Sequence, residues 1–225
     1  MSYYYGNNYG SGGFLSNIPP VTKNIVAINI LLFIATLVNQ QFMVENFAMF
    51  YPASPFFRPW QIITHMFMHG GFWHIFFNMY SLLMFGMIVE RSLGSRRFLI
   101  FYFVTGLGAA LLHTGVEYAE AQIYLSSGSS IGYHNLLMTP TLGASGAIYG
   151  VLIGYAMLYP ESRLTLLFPP VTLTAKWMVI IFAIIELVTG ITGTADGVAH
   201  FAHLGGMLFG WLLILWWRKR GKIYR

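Results

Sequence analysis

Long apolar runs separated by short polar connections dominate this chain. Six of the runs are close to the roughly 20 residues that a membrane-spanning helix needs. Numbered span 1 to span 6, they lie near residues 23–42, 62–89, 96–117, 142–159, 174–193 and 198–217. The connection at 118–141 is longer, polar and rich in Ser and Gly, and the prolines and aromatic residues of 43–61 favour the membrane interface. The pattern predicts an all-α membrane protein, a bundle of six transmembrane helices.

The two ends of the chain differ in composition from the apolar runs. Residues 1–20 are rich in Gly, Asn, Ser and Tyr and lack the basic start and apolar core of a signal peptide, so we expect a flexible tail. Residues 219–225 are predicted to form a short basic tail. A single domain, residues 21–218, is expected between them.

Composition agrees with a membrane location. Only 8% of the residues are charged and 56% are hydrophobic, whereas a soluble domain has about 25% charged residues. The chain has no cysteine, which excludes disulfides, thiolate catalysis and cysteine metal sites. The net charge of +5 does not indicate nucleic acid, because the basic residues punctuate the apolar runs and form no single patch.

The basic residues also predict an orientation. With six spans both termini lie on one side, and eleven of the twelve Lys and Arg residues fall there; only Arg58 lies on the other side. Basic loops stay in the cytoplasm. We therefore expect cytoplasmic termini, in a plasma (inner) membrane because no organellar targeting segment is visible.

Polar residues that can do chemistry occur in spans 2, 4 and 6, which all run from outside to inside. Ser145 begins span 4, His203 lies near the start of span 6, and His74 and Asn78 are one helical turn apart in span 2. All four are predicted in the outer half of the membrane, where polar groups are costly and usually functional.

A serine hydroxyl becomes a nucleophile when a neutral imidazole can take its proton. Ser145 and His203 can meet only if spans 4 and 6 pack closely, and small residues at every fourth position permit this. These residues are Gly146, Gly150 and Gly154 in span 4 and Ala202, Gly206 and Gly210 in span 6.

The remaining parts of a hydrolytic site can also be assigned. The side chains of His74 and Asn78, with the backbone N–H of Ser145, are reasonable donors to an oxyanion. Asp196 is the only aspartate and lies seven residues before His203, so an aspartyl dyad is excluded and an orienting aspartate is not expected. The residues therefore favour a Ser–His dyad.

Three motifs together resemble the rhomboid family of intramembrane serine proteases. They are Gly143-x-Ser145-Gly146 at the start of span 4, His74-x-x-x-Asn78 in span 2 and Ala202-His203-x-x-Gly206 in span 6. Trp60 and Glu90-Arg91 also match the family, but Gln61 stands where the family often has arginine. The resemblance covers nearly the whole chain after the tail.

The resemblance implies an intramembrane serine endopeptidase that cuts the transmembrane segments of other proteins near the outer face of the bilayer. It implies Ser145 as nucleophile, His203 as general base and the Tyr149 ring packed on His203. It implies an oxyanion hole of His74, Asn78 and the Ser145 N–H, supported by Gly143, Gly146 and Gly206. No metal or other cofactor is expected.

Several alternatives remain open at this point. His200 competes with His203 as the base, although the glycines three and seven residues further on favour His203. His65 and His69 could be a metal pair or a structural hydrogen-bonding pair. Glu186 should face the bundle or a water pocket, in a passive or a functional role.

Two other functions compete with proteolysis. A six-span transporter or metal carrier could use His65, His69, His74, His200 and His203, but acidic partners are nearly missing from the spans and Ser145 would have no role. A catalytically inactive rhomboid-like chaperone usually lacks the Ser or the His, and both are present here. A zinc intramembrane protease is excluded because H-E-x-x-H is absent.

Span 5 is expected to be the most mobile wall of the bundle. It has no stripe of small residues like those of spans 4 and 6, so it should pack more loosely. We expect a substrate segment to enter beside it.

Overall fold

A computed structural model describes residues 14–166, 170–192 and 197–223, and confirms the predicted all-α bundle. Five helices are long and apolar enough to cross a membrane, and a sixth apolar helix is shorter. In the described residues span 1 is Pro20–Val38, span 2 Phe72–Leu93, span 3 Ser95–Ser126, span 4 Ser145–Leu158, span 5 Ala175–Thr192 and span 6 Gly197–Lys219. Spans 3, 4 and 6 pack on one another at the centre, and span 5 packs on spans 6 and 4.

Shorter elements connect the spans. They are a 3-10 turn Phe14–Asn17, helix Gln40–Phe47, the helical turns Gln61–Thr64 and His65–Phe67, helix Ser130–Met138, and the strands Arg163–Thr165 and Thr172–Thr174. The two strands pair in an antiparallel ribbon between spans 4 and 5. Most of the predicted tail 1–20 and the last two residues of the predicted tail 219–225 lie outside the described residues.

Two predicted boundaries were wrong. Span 3 continues to Ser126 instead of ending near 117, because residues 118–126 include Glu, Ala, Gln and Leu, all good helix formers, and contain no Gly or Pro. Part of the predicted polar connection is therefore helix. Span 2 begins at Phe72 and not near 62, because Gly70 and Gly71 interrupt the helical pattern.

The small-residue stripes bring spans 4 and 6 together, but in an asymmetric way. A Cβ on Gly206 would lie 1.8 Å from the backbone oxygen of Gly146, so only a glycine permits this approach. The stripe of span 4 faces span 3 instead: a Cβ on Gly146 would lie 2.5 Å from the Cβ of Ala109. Each stripe therefore accommodates a different neighbour, and both are needed to hold span 4 in place.

Glu90 fastens span 1 to the turn between spans 2 and 3. Its carboxylate is 1% exposed and accepts the backbone N–H groups of Val21 at 3.0 Å and Thr22 at 2.7 Å. It also accepts the hydroxyls of Thr22 and Ser95, each at 2.7 Å. Because the first N–H groups of a helix have no partner within it, this buried carboxylate satisfies the start of span 1 from outside.

Candidate active site

Ser145 is presented at the start of a short helix. Span 4 has 14 residues, about 21 Å at 1.5 Å per residue, against a hydrocarbon core of about 30 Å. A helix of that length cannot reach both faces of the bilayer. Ser145 is therefore the first residue of a helix that is shorter than the hydrocarbon core.

The strand-like segment before Ser145 is anchored by backbone hydrogen bonds. Thr141 and Met49 exchange two bonds of 2.7 and 2.8 Å, and the Thr141 hydroxyl lies 2.5 Å from His113 Nε2. The N–H of Gly143 donates to the carbonyl of His65 at 2.9 Å. These contacts explain how the segment before span 4, which forms only an isolated bridge, can hold Ser145 in one position.

Ser145 and His203 are brought together by spans 4 and 6. The Ser145 Oγ lies 2.8 Å from His203 Nε2, a hydrogen-bond distance. The Tyr149 ring stacks on the His203 ring with 4.2 Å between the centroids and 9° between the planes. A hydroxyl paired with an imidazole that packing holds in one orientation is the arrangement that nucleophilic catalysis requires.

His74 and Gly143 border the space beside the hydroxyl. Gly143 has φ +135°, a conformation that favours glycine. A Cβ placed there would lie 2.9 Å from His74 Nε2 and 3.6 Å from Ser145 Oγ. A side chain at this position would press against His74, so a glycine here lets the His74 ring approach the segment that carries Ser145. Asn78 is buried, but its amide donates to the carbonyl of His74 at 2.8 Å and is thus engaged within its own helix.

A small cavity with several polar lining residues lies against the Ser–His pair. Its volume is about 40 Å³, and Ser145, His203, Gly143, Thr141, His65 and His113 are among its lining residues. One water molecule needs about 10–15 Å³ of such space and several polar partners. The cavity therefore has room for a few water molecules next to the hydroxyl.

A carboxylate of span 5 reaches the same site. The Glu186 side chain is buried, and its Oε2 lies 2.5 Å from His200 Nδ1 and 3.1 Å from His203 Nδ1. The Tyr149 hydroxyl donates to its Oε1. The sequence located Glu186 in a span facing the bundle but gave it no role, and Asp196, the other acid near His203, lies outside the described residues.

The other histidines occupy distinct positions. His200 contacts Glu186 and not Ser145. His65 Nδ1 lies 2.8 Å from the carbonyl of Gln61, and the His69 ring meets the His74 ring edge-on at 5.0 Å. Among the described residues, the one group of three whose potential metal-ligand atoms lie close together is Glu186, His200 and His203. His65, His69 and His74 do not form such a group.

One feature of the sequence could have identified Glu186 as part of the site: it is an acidic residue inside an apolar span. A charged group inside an apolar span needs a partner. Span 6 carries two histidines, His200 and His203, near the predicted depth of Glu186. Only the helix rotations, which the sequence pattern does not give, decide that the three side chains meet.

Comparison with known proteins shows the family. The Rhomboid domain family matches residues 56–220, a range that includes Ser145, His203, His74, Asn78 and Glu186. This chain belongs to the rhomboid family.

Named relatives agree with that assignment. The chain is 30% identical over 188 residues to RHOMBOID-like protein 12, mitochondrial, of Arabidopsis thaliana, covering 83% of this chain and 54% of the relative. It is 27% identical over 156 residues to Rhomboid protease AarA of Providencia stuartii, covering 68% of this chain and 54% of that protein. Rhomboid protein 1, mitochondrial, of Saccharomyces cerevisiae is 28% identical over 160 residues, covering 68% of this chain and 41% of the relative. The chain thus spans about half the length of these relatives or less.

Proposed function

We propose that this protein is an intramembrane serine endopeptidase that hydrolyses peptide bonds in the transmembrane segments of other proteins. The observation that carries the proposal is the 2.8 Å contact between Ser145 Oγ and His203 Nε2 inside a membrane bundle. A relative named as a protease supports the same reaction class.

The reaction uses the Ser–His pair in two stages. The Ser145 oxygen attacks the carbonyl carbon of the scissile bond as His203 Nε2 takes its proton. The C–N bond then breaks, His203 returns that proton to the leaving amine, and Ser145 remains acylated. Water from the adjoining cavity, deprotonated by His203, hydrolyses the acyl-enzyme and restores the hydroxyl.

The negative oxygen of each tetrahedral intermediate needs hydrogen-bond donors. His74 Nε2 is the first candidate donor, because it lies beside Gly143, the residue whose side-chain position is also 3.6 Å from Ser145 Oγ. The Ser145 N–H at the first turn of span 4 is a second donor. Asn78 acts either directly, after its amide turns away from the His74 carbonyl, or by fixing the backbone that carries His74.

A transmembrane substrate reaches the site beside span 5. Only 22% of the most apolar stretch of span 5 is buried, against 44% for span 3. Span 1 has the same low value, but Glu90 fastens its first turn. The substrate helix unwinds locally at the site, because a helical carbonyl is hydrogen-bonded and shielded from attack.

The positive-inside pattern supports cytoplasmic termini and a site that opens to the extracytoplasmic side of a plasma (inner) membrane. Lys222, just after span 6, supports an interface at this end of the helix: its Nζ lies 4.9 Å from the Trp216 ring centroid, and Trp side chains are enriched at both membrane interfaces.

Cleavage of a purified single-span substrate in liposomes tests the proposal. We expect wild type to cut it, Ser145→Ala and His203→Ala to lose detectable cleavage, and a chelator to have no effect. Full cleavage by Ser145→Ala would overturn the serine mechanism. Loss of cleavage in chelator alone would indicate a metal-dependent protein, and an intact wild type without cleavage would favour an inactive rhomboid-like chaperone.

A further inference from the structure

Glu186 is the one described carboxylate that contacts the proposed base, and its surroundings favour the ionised form. Three groups face its two oxygens: the hydroxyl of Tyr149, the ring of His200 and the ring of His203. A tyrosine hydroxyl and a neutral imidazole N–H are donors, and an ionised carboxylate is an acceptor only. The cluster is therefore complementary when Glu186 is charged and each partner donates.

The contact with His203 is the incomplete one. The Nδ1 atom lies 3.1 Å from Glu186 Oε2, yet it is buried and finds no correctly aligned hydrogen-bond partner among the described residues. Catalytic hydrogen bonds in free enzymes are often poorly aligned and tighten when substrate is bound. Among the described residues, Glu186 is the acceptor that lies close enough to Nδ1 to complete such a bond.

We propose that Glu186 is a positioning residue for the dyad, accepting the Nδ1–H of His203 and so fixing the tautomer whose Nε2 takes the Ser145 proton. The inference rests on the proposed hydrolase function. It adds an acid supplied by span 5, where the sequence predicted a two-residue dyad.

Two neighbours hold the carboxylate in place for this role. Tyr149 stacks on His203 and donates to Glu186, so it fixes the imidazole and the acid relative to each other. His200 occupies the same oxygen as His203 from one turn earlier on span 6. When His203 becomes an imidazolium in the transition state, the fixed negative charge stabilises it in a site of low dielectric constant.

The same three residues could instead bind a metal ion, but their spacing argues against it. Ligand atoms at about 2.0–2.2 Å from a tetrahedral zinc ion lie roughly 3.3 Å from each other. His200 Nδ1 and Glu186 Oε2 are 2.5 Å apart, which is a hydrogen-bond separation. One His203 nitrogen is also paired with Ser145.

The test compares three carboxylate variants in the full-length protein: Glu186→Gln, which keeps size and removes charge, Glu186→Asp, which keeps charge, and Glu161→Gln. Glu161 is exposed and pairs with Lys176 away from the site, so it is the matched control. Each variant is assayed for its melting temperature, for kcat and KM with a transmembrane substrate, and for the rate at which a small fluorophosphonate acylates Ser145. The probe has no transmembrane segment to admit, so it reports on the nucleophile separately from substrate entry.

We expect Glu186→Gln to lower both the acylation rate and kcat by about 10²-fold, with KM nearly unchanged. This is less than the roughly 10⁴-fold loss from the equivalent change in a soluble triad, because the contact is not yet aligned in the free protein. Glu186→Asp should recover at least about tenfold, and Glu161→Gln should match wild type.

Three results would overturn the inference without affecting the hydrolase proposal. One is wild-type acylation by Glu186→Gln. A second is a loss of acylation in Glu186→Gln that is fully explained by a smaller folded fraction in the melting curves. A loss that Glu186→Asp does not recover counts in the same way, because both results indicate a structural role. The third is faster cleavage of the transmembrane substrate with unchanged acylation, which would make Glu186 only a fastener of span 5. Absence of acylation in wild type would instead overturn the hydrolase proposal.

Discussion

His203 makes a different contact on each side of its ring. Nε2 faces Ser145, Nδ1 faces Glu186, and one ring face lies against Tyr149. Motif spacing predicted the Ser145 partner, and the family resemblance implied the Tyr149 ring. Glu186 belongs to another helix, and no local spacing connects residue 186 to residue 203. Contacts of that kind depend on helix rotation, so sequence reasoning left the role of Glu186 open.

His74 gives the sharpest residue-scale prediction. Removal of one oxyanion donor typically costs about 10²–10³ in rate, so His74→Ala should lower kcat by that factor and leave KM nearly unchanged. The measurement is steady-state cleavage of the transmembrane substrate. His134→Ala, which removes an exposed histidine outside the three motifs, is the control. A His74→Ala protein that is folded and cuts at the wild-type rate would contradict the assignment.

At the scale of elements, the contact between spans 4 and 6 sets the distance within the site. Gly206 lies three residues after His203, and Gly146 directly follows Ser145. The closest helix approach is therefore beside the two reactive side chains. The sequence predicted this packing from the glycine repeats, but it did not predict that the span 4 stripe faces span 3.

Gly206→Ala should separate the two helices. Its Cβ would lie 1.8 Å from the Gly146 oxygen, and a misplacement of about 1 Å can reduce catalysis about 10²-fold. We expect a lower kcat by about that factor and a lower melting temperature, since overpacking costs about 1–3 kcal/mol. Gly115→Ala is the matched control, because nothing lies within 4 Å of its Cβ position. Equal activity and stability of the two variants would refute this account.

Gln61 illustrates a substitution that the sequence could not evaluate. It stands where the family often has arginine, which put the usual contacts of the first outer loop in doubt. The side chain is fully buried, donates to the carbonyls of Glu45 and Phe56 at 3.1 and 2.9 Å, and accepts the N–H of Arg58 at 3.0 Å. A neutral amide thus connects three parts of this loop, which shows that an uncharged side chain can hold it together.

For the whole molecule, the apolar runs were sufficient to predict the bundle. Two span boundaries, the start of span 2 and the end of span 3, were wrong because local sequence features set them and hydrophobicity did not. The Gly70-Gly71 interruption moved the start of span 2 past His65 and His69, while favourable helix propensity carried span 3 beyond its apolar part. The predicted roles of Ser145, His203, His74 and Asn78 stay predictions, although their side chains share one end of the bundle.

A reversible crosslink tests the entry route. A Cβ on Gly190 would lie 3.4 Å from the His200 Cβ, close to the 3.5–4.5 Å of a disulfide. Since the chain has no cysteine, Gly190→Cys with His200→Cys can form one disulfide within a molecule, joining the outer end of span 5 to span 6. Oxidation should suppress cleavage of a transmembrane substrate, and reduction should restore it.

The control for this crosslink is internal. The same protein is compared oxidised and reduced, so the loss of His200 affects both states equally, and fluorophosphonate acylation of Ser145 should not change on oxidation. Undiminished cleavage with the disulfide complete would rule out entry beside span 5.

Glu186 and the proposed entry wall belong to one helix, Ala175–Thr192. On the proposed arrangement, an outward tilt of that helix carries the carboxylate away from His203 while a transmembrane segment is admitted. Admission and hydrolysis then become successive phases of a cycle that cannot overlap. A transmembrane helix that enters and leaves without unwinding meets Ser145 while Glu186 is displaced, and it is not cut. A segment that unwinds at the site allows span 5 to return to its position, and it is cut. Residence time, more than affinity, would then separate substrates from the other proteins of the membrane.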